Sequence, residues 1–396
     1  MTRHLVTTRK DLGDSNRRQV LAELMFNGPL ARAEIAKRVH LTQASVSRIT
    51  KELIENDLIF EERSVTTHRV GRPLVQLNVN PSGGYVIGVA INLFKQIVTI
   101  ADLANETLAS CTLQPADITN PEQVLEDVVL AAHNLLDDLG LKKEEILSCG
   151  VAITGAVDPS TGVSRSAPSL GWSDHVHVGP YLEEKLKLPV YVDTVPNAKN
   201  LAEYGYGKTR QNDNVVLLNV YHIIGASFLL NGELYRGHNF HAGVIENAPL
   251  VTAFAQGPAK ELVSGRAVLK AYYGDAALPS QLTAAKSVFD LIDKANNGEQ
   301  KAMTAFLHAG IAMAQLIKVV KEILQPEMIL LTGPVLDCEC YVNQIRSELE
   351  RYAGEHWLER HFKISRISSE FAAQSLALYK SISEPNLLLA EHPIAV

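Results

Sequence analysis

Thr42, Gln43, Ala44, Ser45, Ser47, Arg48 and Lys51 take the cap and outward positions of one short helical pattern, whose inward positions are Val46, Ile49, Leu53 and Ile54. Small polar groups at a helix start, followed by basic ones, suit a duplex groove. The short side chains reach base edges, and the guanidinium and ammonium groups reach phosphates. A second basic element, Arg69 with Gly71-Arg72-Pro73, is compact enough for a minor groove. Far downstream, Asp193-Thr194-Val195-Pro196-Asn197 places a carboxylate and small polar groups together. Cys338-Glu339-Cys340 offers two thiols, with His356 and His361 later. One Cys-x-Cys is a poor metal signal, and buried or incidental thiols are its plain reading.

The elements that hold the first set are three helices and a hairpin. Ser15 or Asn16 can cap a first helix, in which Val20, Leu21, Leu24 and Met25 recur at helical spacing before Asn27-Gly28-Pro29 stops it. Arg32 to Val39 forms a second helix burying Ile35, Ala36 and Val39. After a turn at His40-Leu41, Thr42 caps a third that runs to about Glu55. Leu58-Ile59, a polar turn at Ser64 to Thr67, and the alternation of Leu74, Gln76, Leu77 and Asn78 predict a β-hairpin wing. Residues 1–80 therefore read as a winged helix-turn-helix domain. The plainer reading is a three-helix domain that makes protein or dimer contacts.

Charge is divided the same way. Residues 1–80 hold 13 Lys and Arg against 9 Asp and Glu, a net +4, whereas the remainder holds 24 against 35, a net −11. A basic head on an acidic body fits one end meeting phosphate. The chain has 396 residues, 46% of them hydrophobic and 20% charged, which is ordinary for a globular protein of two or three domains. No uninterrupted apolar run approaches the roughly 20 residues of a membrane span. Met1 to Asn16 is polar and of mixed charge, unlike a secretory signal. Four cysteines make no disulfide framework, and a cytoplasmic location with no membrane partner is the expectation.

From Tyr85 onward strands and helices alternate. Val86 to Asn92, Gln96 to Leu103, Thr107 to Leu113 and Ser148 to Ile153 read as strands, with an amphipathic helix from Pro121 to Leu139. The second half repeats the scheme. Val215 to Val220 and Ala226 to Leu230 are strands, Asn231-Gly232 is a hairpin turn, and helices run from Pro258 to Tyr273, Gln281 to Ala295 and Glu299 to Leu324. Met328 to Leu331 is a further apolar strand. This predicts an α/β body over residues 81–396, in two lobes of approximately 81–195 and 196–396.

Six segments in order resemble the ROK family of repressors, open reading frames and sugar kinases. They include Gly150-Val151-Ala152-Ile153-Thr154-Gly155-Ala156-Val157-Asp158, the loop Ser166-Ala167-Pro168-Ser169-Leu170-Gly171-Trp172, and Pro189-Val190-Tyr191-Val192 leading to Asn197-Ala198. Leu230-Asn231-Gly232-Glu233-Leu234-Tyr235-Arg236-Gly237 is another. The resemblance implies a duplicated ribonuclease H-like fold of the actin and sugar kinase type, and the N-terminal head marks the repressor branch. It also implies catalytic devices that this chain departs from. Ala90 stands where a kinase has an Asp, with Leu93-Phe94 for small residues. Thr194 and Val195 stand at the Asn-Asp pair that supplies the general base, and valine accepts no proton. Asp193 could share Val195's face by strand parity. Tyr221-His222-Ile223-Ile224-Gly225-Ala226 keeps one glycine of the second phosphate loop. Val244 and Asn247 replace the sugar-binding Glu and His, and Ala248 to Gly265 lacks the cysteines of the family's zinc site.

The resemblance thus implies a carbohydrate-responsive repressor with no enzymatic activity, cofactor or metal. Its expected partners are double-stranded operator DNA and a small sugar or sugar derivative, met as a homodimer or dimer of dimers. The expected effector contacts are Ser169, Thr194, Asn197, Glu246, Asn247 and His241. Trp172 is equally a stacking platform for a sugar or a core residue. The rival readings are a sugar kinase with a DNA-binding head and a regulator controlled by a protein partner.

Overall fold

The computed structural model describes residues 9–63, 75–173, 175–210, 212–274 and 281–383. The head comprises α1 (Arg9–Asn27), α2 (Arg32–Arg38), α3 (Gln43–Glu55) and the antiparallel pair β1 (Ile59–Arg63) and β2 (Val75–Val79). Helix α1 begins upstream of Ser15 and Asn16, which lie inside it, so the expected cap there is corrected: the stretch after Arg9 has weak helix formers but no proline to stop the helix. Helix α3 starts as the sequence predicts, with the Thr42 hydroxyl accepting from the Ser45 amide at 3.1 Å. The wing residues Ser64 to Thr67, Arg69 and Arg72 lie outside the described residues.

The first sheet joins β3 (Tyr85–Ile91), β4 (Gln96–Asp102), β5 (Thr107–Thr112), β6 (Ile146–Ile153) and β9 (Val190–Thr194) in the order β5-β4-β3-β6-β9. Helices α4 (Pro121–Leu139) and α5 (Val178–Leu186) and the small hairpin of β7 (Ala156–Asp158) and β8 (Val163–Ser166) surround it. The Asn120 carboxamide and Pro121 start α4, and Gly140 in the left-handed region ends it.

Helix α6 (Val195–Tyr206) leads into the second sheet, formed by β10 (Val215–Val220), β11 (Ile224–Leu230), β12 (Glu233–Tyr235), β15 (Met328–Thr332) and β16 (Phe362–Ile364). Its order, β12-β11-β10-β15-β16, repeats the first: an antiparallel three-strand meander followed by two parallel strands. The hairpin β13 (Pro249–Val251) and β14 (Gln256–Pro258) and the helices α7 (Gly265–Tyr273), α8 (Gln281–Asn296), α9 (Gln300–Leu324), α10 (Glu339–Ala353) and α11 (Glu355–His361) complete this half. The single helix expected over Pro258 to Tyr273 is broken. Residues 256–258 pair as a strand, a short 3-10 turn follows, and α7 starts behind Ser264. Helix α9 is long and apolar enough to cross a membrane by length and composition, although His308, Gln315 and Lys318 interrupt its apolar run. Here Phe306, Met313 and Ile317 bury one face of it in the second lobe's core.

Helix α12 (Ser369–Ser383), the last described element, returns to the first sheet, so the boundary near residue 195 does not follow the packing at this end. It lies on β3 and β6 where Gly88 faces Gly150 across the parallel pair. A Cβ on Gly150 would stand 2.2 Å from the Ala373 carbonyl oxygen and 2.7 Å from the Ala377 nitrogen. The same helix joins head to body: Ala377, Leu378 and Ile382 share one buried cluster with Val20, Leu24, Ile35, Val46, Ile49 and Leu77.

Gly150→Ala must therefore lift α12 off the sheet. We expect a loss on the order of 3 kcal/mol in urea denaturation, the upper part of the overpacking range. Gly257→Ala, with nothing within 4 Å of the added carbon, should leave the midpoint nearly unchanged. Equal midpoints for parent and Gly150→Ala would contradict this packing.

Candidate functional site

On the head, Gln43, Ala44, Ser47, Arg48 and Lys51 are exposed along α3, opposite the buried Val46, Ile49 and Leu53. Two of the expected contacts are already engaged: Thr42 caps the helix and its hydroxyl donates to Ser45 Oγ at 2.9 Å. Ser45 is half-buried. Lys51 pairs with Glu55 at 3.6 Å, an exposed link that phosphate can displace. Arg48 has no ion pair among the described residues, which leaves its guanidinium for an external anion.

Between the lobes lies a cavity of about 270 Å³. Its walls come from the β3–β4 turn (Asn92, Leu93, Phe94), the loops at Thr154 to Ala156 and Ser166 to Ser169, the start of α6, the β10–β11 turn and the segment Phe240 to Glu246. Four of the six expected contacts meet here: Ser169, Thr194, His241 and Glu246. Asn197 and Asn247 are corrections. Asn197 is buried on α6 and donates to Asp193 Oδ1 at 2.8 Å, whereas Asn247 is exposed, with its amide 3.5 Å from Glu246. Neither is a wall residue. Trp172 is a core residue, 2% exposed, donating from its ring nitrogen to the Ile118 carbonyl at 3.0 Å.

The positions that carry catalysis in the family resemblance are filled otherwise. Ala90 is fully buried, and Val195, as the first residue of α6, is a wall of the cavity. Asp193 does not share its face. Its two oxygens take a bidentate clamp from Arg236 at 3.0 and 2.6 Å, and Oδ1 also accepts from the Thr194 amide and Asn197. A carboxylate held this way fixes the β9–α6 junction through four hydrogen bonds. Where a phosphate loop needs glycine, Tyr221 packs on Phe94 with ring centroids 5.1 Å apart, and Phe94 reaches Phe289 at 6.0 Å.

Lys199 was not singled out from the sequence. It lies inside α6, 2% exposed, with Nζ 3.2 Å from Thr332 Oγ1 and 5.6 Å from the Tyr221 ring centre. Burial holds its ammonium down at about 8, against the pull of Glu370 and Glu203. Two cavity residues escaped notice as well. Asn219 and His222 are 8% and 7% exposed, and Asn219 Oδ1 and His222 Nδ1 have no partner among the described residues. The signal for Asn219 was present, as the only polar side chain in the strand Val215 to Val220.

No group of three or more His, Cys, Asp or Glu suited to a metal occurs among the described residues. The Cys338 and Cys340 sulfurs lie 3.3 Å apart as free thiols.

The sequence profile of the ROK family matches residues 86–375, and that of the MarR family matches residues 11–69. The xylose repressor of Bacillus spizizenii is 23% identical over 338 residues, 84% of this chain and 86% of that protein. The DNA-binding transcriptional dual regulator NagC of Escherichia coli is 29% identical over 225 residues, 55% of this chain and 53% of that protein. Among solved structures, a ROK family transcriptional regulator described as a homologue of the E. coli Mlc protein superposes with a TM-score of 0.76 at 21% identity, covering 96% of this chain and 98% of its own. A ROK family glucokinase from Streptomyces griseus, solved with glucose and AMPPNP, gives 0.61 at 20% identity, covering 74% of this chain and 98% of its own. These likenesses establish the fold of head and body together.

Lys199 generates a prediction with a definite sign. Its folded-state value, about 8, lies below the ordinary 10.5, so between those values the unfolded chain binds more protons and stability rises with pH. Lys199→Met should be more stable than the parent at pH 7, and the gap should close by on the order of 3 kcal/mol as pH rises from 8 toward 10.5. Urea denaturation at pH 7 and pH 10 measures it. A gap that does not change with pH contradicts the burial of a charged lysine here.

Proposed function

This chain belongs to the ROK family, and on that premise we propose that it is a cytoplasmic transcriptional repressor whose head reads duplex DNA and whose body binds a sugar-like effector without phosphorylating it. The observation that carries the reading is the pairing of an exposed, polar-to-basic α3 with a cleft whose general-base position is Val195. The target genes are those of carbohydrate uptake or metabolism, in keeping with the names of the relatives. The assembly is a dimer that sets two heads on the half-sites of a palindrome.

The path from cleft to head runs along α6. Thr194, Val195 and Pro196 at its start face the cavity. Tyr206 at its end packs edge-on against Phe26 of α1, ring centroids 5.2 Å apart. Twelve residues of helix span about 18 Å as one rigid piece. A shift of the lobes on effector binding therefore moves α1, and with it the spacing of the two heads. DNA release follows from the difference in effector affinity between the two states.

The kinase alternative requires a base and a phosphate cradle. Val195 offers no proton acceptor, Asp193 is clamped by Arg236, and Tyr221 and Phe94 fill the cradle. Incubation with ATP and glucose, xylose or N-acetylglucosamine should release ADP at the rate of a no-protein control. Sugar-dependent ADP release that survives purification would establish the kinase instead.

The DNA-binding half is tested by selecting bound sites from random duplexes with the full-length protein. A two-fold symmetric site should be enriched. Arg48→Ala should weaken binding to it by about 1–3 kcal/mol, roughly five- to 150-fold, and flatten the salt dependence by about one unit of slope. No enrichment, or parental affinity in Arg48→Ala at several salt concentrations, would overturn the assignment.

A further inference from the structure

Two pairs of polar side chains enter the cavity from opposite lobes. Thr154 and Ser169, on the first lobe, face it with hydroxyls 3.5 Å apart. Asn219 and His222, on the second lobe, face it from β10 and the turn after it. Val195, Pro196, Ile224 and Ala226 form apolar wall beside them. The second pair sits at the end of β10 and the turn after it, and no Lys or Arg lines the cavity. Three neighbouring guanidinium groups are already matched: Arg266 binds Glu261 at 2.7 Å, Arg165 binds Asp158 at 2.7 Å, and Arg236 binds Asp193; Lys199 lies behind the Tyr221 ring, bonded to Thr332 Oγ1, and is not a wall residue. Glu246, the one carboxylate on the wall, pairs with Lys260 at 3.9 Å, so that cation too is matched.

A buried polar atom without a partner costs stability, and of those found among the described residues only Asn219 Oδ1 and His222 Nδ1 belong to this cavity's wall. We propose that Asn219 and His222 form a second hydroxyl-binding subsite, and that the effector is an uncharged glycoside of two sugar-sized units instead of a sugar phosphate. This rests on the reading of the cleft as the effector site. Each side chain offers a donor and an acceptor to sugar hydroxyls. Burial, reinforced by Arg266 against the opposing Glu261, lowers the His222 imidazole below its ordinary value, so it meets the ligand neutral at pH 7. An uncharged imidazole beside a carboxamide suits hydroxyls and gives a phosphate no counter-charge.

Calorimetry on the full-length protein tests the proposal with xylose, xylobiose, glucose, cellobiose, maltose and glucose 6-phosphate. We expect at least one disaccharide to bind about tenfold or more tightly than its monosaccharide, and glucose 6-phosphate to bind more weakly than glucose. Asn219→Leu and His222→Phe should each remove the disaccharide's advantage while leaving monosaccharide affinity within about twofold. Both variants should also melt higher than the ligand-free parent, since each removes an unsatisfied buried group. That stability readout guards against mistaking misfolding for lost contacts. Glucose 6-phosphate as the tightest ligand, disaccharides no better than monosaccharides, or an advantage that survives both variants would overturn the subsite. Binding by none of the six would overturn the cleft reading beneath it.

Discussion

The seat of α12 on bare backbone is the constraint from which the rest of the architecture follows. Two strands with hydrogen in place of Cβ at Gly88 and Gly150 let a helix approach until Ala373 and Ala377 touch the sheet itself. Gln374, fully buried at that contact, would be costly there unpaired. Its amide donates to the Asn105 carbonyl oxygen and Oδ1, and its oxygen accepts from Thr99 and Thr107. The helix is thereby fixed in position along its axis as well as in depth. Its remaining surfaces pack against α6 and α1, so one close contact places both the cleft helix and the DNA-reading head.

The head is consequently no loosely tethered module. Its hydrophobic core runs without interruption into Val86, Ala101 and Leu103 of the first lobe, and Phe26, Tyr206 and Phe371 form a chain of edge-on rings across the junction. At the other end of α6, β9 passes into the helix with no linker, because Thr194 both ends the strand and caps the helix. The Arg236 clamp on Asp193 stiffens that joint. A rigid helix between a stiff joint and a shared core suits transmission of small displacements, since packed interiors switch between arrangements more readily than they deform.

Much of this was legible in the sequence, where local physics decides. Thr42, Pro121 and Asn231-Gly232 announce their helix starts and turn through side-chain and backbone preferences that act within a few residues. The apolar runs at Val86, Ser148, Val215 and Met328 marked the central strands of both sheets. What could not be read depended on distant partners. The return of α12 rests on Gly88 and Gly150, which meet it from more than 200 residues away. Asn197 and Asp193 looked available for chemistry until Arg236, 43 residues beyond Asp193, took them into a structural cluster. Lys199 and His222 are polar residues within apolar surroundings, and only the folded structure distinguishes such a residue from a packing accident.

The central claim is that head and first lobe share one cooperative core, because only then can the cleft govern DNA. Native-state hydrogen exchange of the full-length protein tests this directly, by comparing the opening free energy of amides in α3 with that of amides in β6 and α12. The account predicts that Val46, Ile49 and Leu53 exchange through the same opening as Val151 and Leu378, with coincident values and the same denaturant dependence. Exchange of the α3 amides through a separate opening of lower free energy, with β6 and α12 still protected, would show a head that folds and moves independently, and would contradict it.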